Sequence, residues 1–82
     1  MIFTIYALFD TARNKFLNVT IEENDVIAKR NFLEQVAQSG HLMYIAKDIT
    51  LYKLAEFNME TGVISQLPVN EIVARGTEYD KI

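Results

Sequence analysis

The side chains that could do catalytic or metal chemistry are few in this 82-residue sequence. It contains no cysteine and a single histidine, His41, so it lacks the ligands and nucleophiles of most metal centres and catalytic triads. Its three glycines stand apart, which is not the pattern of a phosphate-binding loop. The acidic residues Glu22, Glu23 and Asp25 are more typical of the solvated start of a helix than of an acid–base site. We therefore predict no enzyme, no catalytic or metal-binding residues, and no cofactor.

Aromatic residues interleaved with basic residues indicate a different chemistry, the binding of single-stranded nucleic acid. Such strands are held by aromatic side chains that stack on the bases and by cations that follow the phosphates. The ordinary alternative is that β-strands are often rich in aromatic residues and that exposed lysines and arginines serve solubility. The candidate nucleic-acid-binding residues are Arg13, Lys15, Phe16, Lys47, Tyr52 and Lys53.

The overall charge argues against a broad DNA-binding surface. Eleven acidic residues outnumber eight basic ones, giving a formal net charge of −3, and the excess lies from Asp48 onward. Because nucleic-acid affinity at physiological salt comes largely from neutralised phosphates, binding would need a local basic patch, stacking or several copies of the chain. There is no charged leader and no apolar run of about 18–20 residues, so we expect an intracellular protein without a membrane partner.

Hydrophobic periodicity predicts an α+β domain in which two β-hairpins flank one main helix, forming a single sheet with one face packed by that helix. A short C-terminal helix is expected to follow the second hairpin. The domain is predicted to span residues 1–76, with residues 77–82 as a loose tail. The predicted elements are strands at Ile2–Phe9, Phe16–Ile21, Ile49–Phe57 and Val63–Leu67, a helix capped by Asn24 that ends near Ser39, and a short helix at Val69–Arg75.

The second face of this sheet is also predicted to be apolar. In the first strand, alternation places Phe3, Ile5, Ala7 and Phe9 together on one side. Because a single helix covers only one face, the other must meet the C-terminal segment, another subunit or a ligand. Self-association is favoured among these, since bare apolar faces pair readily with copies of themselves.

The segment from Asp48 to Ile64, DITLYKLAEFNMETGVI, carries a more specific signal. It resembles the small non-structural protein of gokushovirus-type microviruses, which are phages with circular single-stranded DNA. Members of that family typically show an acidic residue before an L-Y-K/R stretch, then a T-G turn, an apolar strand and a short segment similar to Ile72–Gly76. Upstream, Ile5–Asp10 and Ala28–Phe32 are similar to the opening strand and the helix of the family.

The resemblance implies a non-enzymatic phage protein of the host bacterial cytoplasm that binds single-stranded DNA and assists viral genome synthesis or packaging. We expect it to act as a homo-oligomer, with a dimer as the expected size. The alternative is a protein–protein adaptor or regulator that engages the replication initiator, a host factor or the procapsid without DNA contact. Ala55 and Asn58 depart from the family pattern, which usually has Gly and Asp at these positions.

Overall fold

Two β-hairpins, one before and one after a long helix in the sequence, form a single antiparallel sheet, which confirms the predicted α+β fold class. The computed structural model describes residues 1–81, except for the side chains of residues 80 and 81. Its elements are β1 (Ile2–Asp10), β2 (Lys15–Glu22), α1 (Asp25–Gln38), α2 (Gly40–Tyr44), a 3-10 turn at Ala46–Asp48, β3 (Ile49–Asn58), β4 (Ile64–Arg75) and a C-terminal 3-10 helix at Gly76–Lys81. The strand order is β2-β1-β3-β4.

The two hairpin turns have the side-chain chemistry that their backbones require. In the first turn, Asp10 Oδ1 accepts a hydrogen bond from the N–H of Ala12 at 3.0 Å, and Asn14 takes the predicted positive φ of 55°. In the second turn, the N–H of Gly62 donates to the carbonyl of Asn58 at 2.8 Å, and Gly62 has a φ of 79°. Asparagine and glycine tolerate this left-handed backbone better than other residues, so both hairpins close where the sequence predicts.

Helix α1 begins and ends close to the predicted residues and packs on one face of the sheet. Asn24 Oδ1 accepts from the N–H of Ile27 at 3.0 Å, which satisfies one of the free donors of the first turn. Val26, an apolar residue in the first turn of α1, is 77% exposed and does not contribute to this packing. The core between the helix and the sheet is formed by Ala28, Phe32, Leu33 and Val36 of α1 with Tyr6, Leu8, Ile49, Leu51 and Ala74 of the sheet and Ala46.

Strand β4 is longer than the sequence predicts. The spacing of apolar residues predicts a helix over residues 69–75, but this segment is strand and continues through Pro68. Proline lacks an N–H donor, yet β4 is an edge strand, where a missing donor is tolerated. The pairing with β3 jumps from Glu71 to Gln66 across a single β3 residue, so residues 67–70 bulge out around the proline. The predicted helix at residues 69–75 is therefore wrong.

The short C-terminal helical segment lies later in the chain, as a 3-10 helix at Gly76–Lys81. The sequence predicts a loose tail over residues 77–82, but this 3-10 helix is ordered against α1. Tyr79 is partly buried against the core, and Glu78 Oε1 lies 3.3 Å from Lys29 Nζ of α1. Ile82, the end of the predicted tail, lies outside the described residues.

A β-bulge at Asn18 changes which β2 residues share a face. Asn18 and the residue after it stand together opposite Ala7 of β1, and Asn18 has a φ of 54°. An extra residue in one strand reverses the alternation of side chains beyond it. Ile21 consequently lies on the same face as Phe16 rather than on the face of Leu17, where simple alternation would place it.

Candidate functional site

The sheet face turned away from α1, called here the open face, is largely apolar and partly exposed. Phe16 is 43% exposed and Ile21 is 49% exposed, although both belong to the sheet. Exposed apolar surface of this extent is typical of an interaction site. Strand pairing assigns to this face Phe3, Ile5, Ala7 and Phe9 of β1, Phe16 and Ile21 of β2, Thr50, Tyr52, Ala55 and Phe57 of β3, and Ile64, Gln66, Ile72 and Arg75 of β4.

Three rings on the open face form a contiguous group, named here the aromatic cluster: Phe9, Phe16 and Tyr52. The ring centroids of Phe9 and Phe16 are 4.8 Å apart, and Tyr52 lies 6.3 Å from Phe9 and 5.9 Å from Phe16. The two contacts with Tyr52 are edge-to-face, at interplanar angles of 90° and 76°. Such pairs are each worth about 0.5–1.5 kcal/mol beyond their burial. The structure therefore brings together the two aromatic residues predicted from the sequence and adds Phe9.

A cross-strand row connects the aromatic cluster to a cation on the far edge of the sheet. Phe9 is paired with Phe16 on one side and with Thr50 on the other, and Thr50 is paired with Arg75. Directly opposed residues of an antiparallel sheet lie on the same face, so Arg75 belongs to the open face. Sequence reasoning missed Arg75 because its segment was interpreted as helix. The alternation of side chains in β1 did place Phe9 on the second apolar face, and this was the sequence signal for its place in the aromatic cluster.

A shallow depression of about 420 Å³ adjoins the aromatic cluster on the open face. Its wall is mostly apolar, but two side-chain amides, those of Gln66 and Asn70, lie at its β4 side. An amide both donates and accepts hydrogen bonds, so this combination suits a flat ring with polar edges. The lining residues are Ile5, Phe16, Leu54, Ala55, Ile64, Gln66 and Asn70.

Lys53, a predicted partner of Tyr52, lies on the opposite side of the sheet. Tyr6, which belongs to the buried core under α1, pairs with Lys53, while Ile5 on the open face pairs with Ala55. The Nζ of Lys53 lies 3.0 Å from Oδ2 of Asp25, at the first turn of α1. The structure thus does not bring Lys53 to the aromatic cluster.

The Asp25 carboxylate is the centre of a hydrogen-bonded group that includes Lys53 and Tyr6. The hydroxyl of Tyr6 donates to Asp25 Oδ1 at 2.6 Å. Burial opposes the charge of Asp25, but the hydrogen bonds from Tyr6 and Lys53 outweigh it and lower the pKa of Asp25 below 3.8. Its hydrogen bond to Asp25 raises the pKa of Lys53 above 10.5, and burial together with Asp25 raises the pKa of Tyr6. This group fastens α1 to the sheet.

The other three predicted cations lie at the end of the sheet that carries the first turn. Arg13 lies in that turn, with its Nε 3.8 Å from Asp10 Oδ2. Lys15 is the first residue of β2 and is paired with Asp10. Lys47 precedes Asp48, and the carbonyl of Asp48 accepts a hydrogen bond at 2.9 Å from the backbone N–H of Thr11 in the first hairpin turn. Since Phe9 and Phe16 are the sequence neighbours of Asp10 and Lys15, the aromatic cluster lies at this end of the sheet as well.

The acidic side chains of the strands all lie on the α1 side of the sheet. Glu22 and Glu56 are both paired with Thr4, and Glu71 is paired with Lys53. Asp10 is paired with Ile49, a core residue. Among the strand residues, the open face therefore carries the guanidinium of Arg75 and no carboxylate, although the net charge of the chain is −3. This separation of charge could not be predicted from the composition.

Neither a metal site nor a membrane span is found in the part of the chain that the structure describes. Among the side chains that the structure describes, no three of His, Asp or Glu are grouped so that they could hold a metal ion. No described helix is long and apolar enough to cross a bilayer.

Among known protein families, the family model described as Phage ORF5 protein matches residues 3–79 of the chain. Comparison with curated proteins and with solved structures finds no match. The family match spans β2, β3, β4, α1, α2 and all of β1 except its first residue, so it includes every residue of the aromatic cluster and every predicted cation.

Proposed function

Because the chain belongs to the Phage ORF5 protein family, we propose that it binds single-stranded DNA in the cytoplasm of an infected bacterium and assists viral genome synthesis or packaging. The similarity of Asp48–Ile64 to the non-structural proteins of gokushovirus-type microviruses supports a phage with a single-stranded DNA genome. In this proposal the protein is not an enzyme, and it acts as a homo-oligomer.

The observation that carries the proposal is the aromatic cluster on a sheet face without strand carboxylates. Stacking on an aromatic side chain is worth about 1–3 kcal/mol per base and tolerates any sequence, because every base has a ring face. Phe16, at the edge of the sheet and partly exposed, offers the most accessible ring surface of the three. Carboxylates near this ring would repel the phosphates, and on the open face the strands provide none.

Cations at the same end of the sheet complete the proposed interface. Arg13, Lys15 and Lys47 lie around the first turn, and Arg75 ends the cross-strand row that starts at Phe16. A strand that stacks on the aromatic cluster would pass Arg75 with its phosphates and would reach the other three cations at the end of the sheet, although the side chain of Lys15 lies on the α1 side. We propose that Lys53 is not part of this interface, because it is bound to Asp25 on the other side of the sheet.

The interface favours single strands over duplex DNA for a geometric reason. Base faces are hidden within the stack of a duplex, and extracting a base costs a few kcal/mol. Bases of a single strand can instead be splayed onto aromatic side chains. Because few cations contribute, affinity for duplex DNA through the backbone alone should be weak, and its dependence on salt should be shallow, since the slope scales with the number of phosphates neutralised.

Fluorescence anisotropy of a labelled single-stranded oligonucleotide, titrated with the protein at two salt concentrations, tests this proposal. We expect salt-dependent binding that a duplex of the same sequence does not match. Phe16→Ala should weaken binding about 5- to 150-fold, corresponding to the loss of about 1–3 kcal/mol from one stacked base. Tyr44→Ala is the matched control, because Tyr44 is an aromatic residue of α2, 83% exposed and outside the open face.

Two results would contradict the proposal. One is the absence of binding even at low salt. The other is an equal loss of affinity in the Phe16→Ala and Tyr44→Ala proteins, because stacking on the open face predicts a loss only in the first. Circular dichroism of both variants verifies that each remains folded.

The adaptor alternative is favoured by a different part of the open face. Ile64, 62% exposed, and Ile72 extend this face along β4 with aliphatic side chains, which suit a protein partner better than a nucleic acid. If the protein acts as an adaptor for a viral or host replication protein, the wild type should raise oligonucleotide anisotropy only slightly, and Arg75→Glu should give the same small signal. If it binds DNA, the same reversal should weaken binding and reduce its dependence on salt.

A further inference from the structure

The outer edge of β2 is an unprotected strand edge. β2 is the first strand in the sheet order, so its outer backbone N–H and C=O groups have no neighbouring strand among the described residues. Such an edge is a template for the addition of another strand. The other edge of the sheet, β4, is interrupted by Pro68 and by the bulge of residues 67–70. Strand addition is therefore favoured at β2.

The sequence of β2 is complementary to itself in the antiparallel direction. Its eight residues are KFLNVTIE, from Lys15 to Glu22. When two copies are aligned antiparallel with the centre between Asn18 and the next residue, Lys15 stands opposite Glu22 and Phe16 stands opposite Ile21. The first pair is an ion pair and the second is apolar. Opposite charges and apolar side chains facing each other across strands are both stabilising pairings.

In this alignment, the two residues of each opposed pair lie on the same face of the sheet, as strand pairing requires. Directly opposed residues of an antiparallel pair must point to the same side. Phe16 and Ile21 are both on the open face, since they are paired with Phe9 and Ile5 of β1. Lys15 and Glu22 are both on the α1 side of the sheet, since their partners in β1 lie on that side.

This agreement depends on the bulge at Asn18. In a regular strand, residues an odd number apart point to opposite faces, so Phe16 and Ile21 could not oppose each other on one side of a joined sheet. The extra residue at Asn18 reverses the alternation between them and removes the conflict. The bulge thus makes β2 compatible with a two-fold axis that passes through it, perpendicular to the sheet.

We propose that β2 pairs antiparallel with β2 of a second copy, so that the two sheets join into one across this axis. The occupant of the edge is a second copy because β2 carries its own complementary charges: Lys15 meets the partner's Glu22, and by symmetry Glu22 meets the partner's Lys15. Phe16 packs against the partner's Ile21 on the open face. This is the isologous interface of a two-fold dimer.

The inference deepens the proposed function, and its role in DNA binding rests on that function. The two-fold axis keeps both open faces on the same side of the joined sheet. The two aromatic clusters then lie on one continuous surface, with Phe16 of each copy next to the joint. A single DNA strand that crosses the joint could contact both clusters, and linking two weak sites in this way raises the overall affinity.

The test is a charge exchange followed by sedimentation velocity over a range of protein concentrations without DNA. Lys15→Glu should raise the dimer dissociation constant about tenfold, because it places two carboxylates opposite each other at both ends of the interface. The double variant Lys15→Glu with Glu22→Lys should restore the dissociation constant of the wild type. The control, Lys15→Glu with Glu23→Lys, has the same net charge but should not restore it, because Glu23 follows the last residue of β2.

Several results would overturn the inference. They are a wild-type protein that stays monomeric at every concentration, a Lys15→Glu protein that dimerises normally, or equal recovery in the exchange and control variants. Circular dichroism and urea unfolding confirm that the Glu22 variants are folded, since Glu22 Oε2 also accepts a hydrogen bond from Asn31 at 3.3 Å. A charge-dependent dimer that fails to bind the oligonucleotide would contradict the proposed function alone, whereas a monomer that binds it would contradict the dimer alone.

Discussion

Replacing Gly76 by alanine should strongly destabilise the fold. Gly76 is buried at the point where β4 passes into the C-terminal 3-10 helix. A β-carbon at this position would collide with the carbonyl oxygen of Ala46 and would lie 2.8 Å from Cγ1 of Ile49. The carbonyl belongs to the backbone of the 3-10 turn before β3, so it cannot rotate away as a flexible side chain could.

The magnitude follows from this geometry. Overpacking of a core site costs about 1–3 kcal/mol, and a clash with backbone should fall in the upper half of that range. For a domain of this size, each 1 kcal/mol lowers the melting temperature by about 4–8 °C. We therefore expect Gly76→Ala to lower the free energy of unfolding by about 2–3 kcal/mol and the melting temperature by about 8–24 °C.

Urea unfolding followed by circular dichroism measures the effect, and Gly40→Ala is the matched control. A β-carbon on Gly40 meets no atom within 4 Å, and Gly40 is the first residue of α2. Alanine there should be neutral or stabilise by up to about 1 kcal/mol, because it restricts the unfolded chain. The reasoning is refuted if Gly76→Ala unfolds within about 0.5 kcal/mol of the wild type, the usual range for surface substitutions.

The remaining predictions concern the hydrogen-bonded group at Asp25. Tyr6→Phe removes the hydroxyl that donates to Asp25 and should lower the free energy of unfolding by about 1–2 kcal/mol in urea, whereas Tyr44→Phe on the surface should have no effect. The lowered pKa of Asp25 contributes stability that is present above pH 3.8 and is lost as the pH falls through the pKa of the folded state. The raised pKa of Lys53 contributes stability that is present below pH 10.5 and is lost as the pH rises through the pKa of the folded state. Melting temperatures measured across pH should therefore fall at both extremes, and Asp25→Asn should weaken both declines; equal declines in the variant would contradict this assignment.

The sequence predicted the fold well wherever local chemistry sets the structure. Asn24, Asn14 and Gly62 act at the helix start and the two turns as expected, because capping and positive φ depend on the residue itself. The second half of β4 could not be predicted in this way. Val69, Ile72 and Val73 have helical spacing only because bulges interrupt the period of the strand, and Pro68 is tolerated only because β4 lies at an edge. Edge position is a property of the whole sheet.

The candidate site shows the same division between local and non-local information. Phe16 and Tyr52 are aromatic residues of predicted strands, and the structure places them in one cluster. Lys53 is adjacent to Tyr52, and since neighbours in a strand point to opposite faces, alternation alone was a signal against pairing them. Arg75 joins the open face only through the register of β3 with β4. Register depends on bulges for which the local sequence provides no pattern.

The proline in β4 has a consequence for how far assembly can proceed. A chain with two pairable strand edges can add copies at both ends without limit and grow into a filament. Here Pro68 and the bulge around it leave only the β2 edge available, so each copy has a single position for strand addition. Once that position is occupied, both outer edges of the product are β4 strands, and growth is self-limiting. In the proposed dimer, Pro68 and the bulge thus limit sheet extension to two chains, however high the protein concentration.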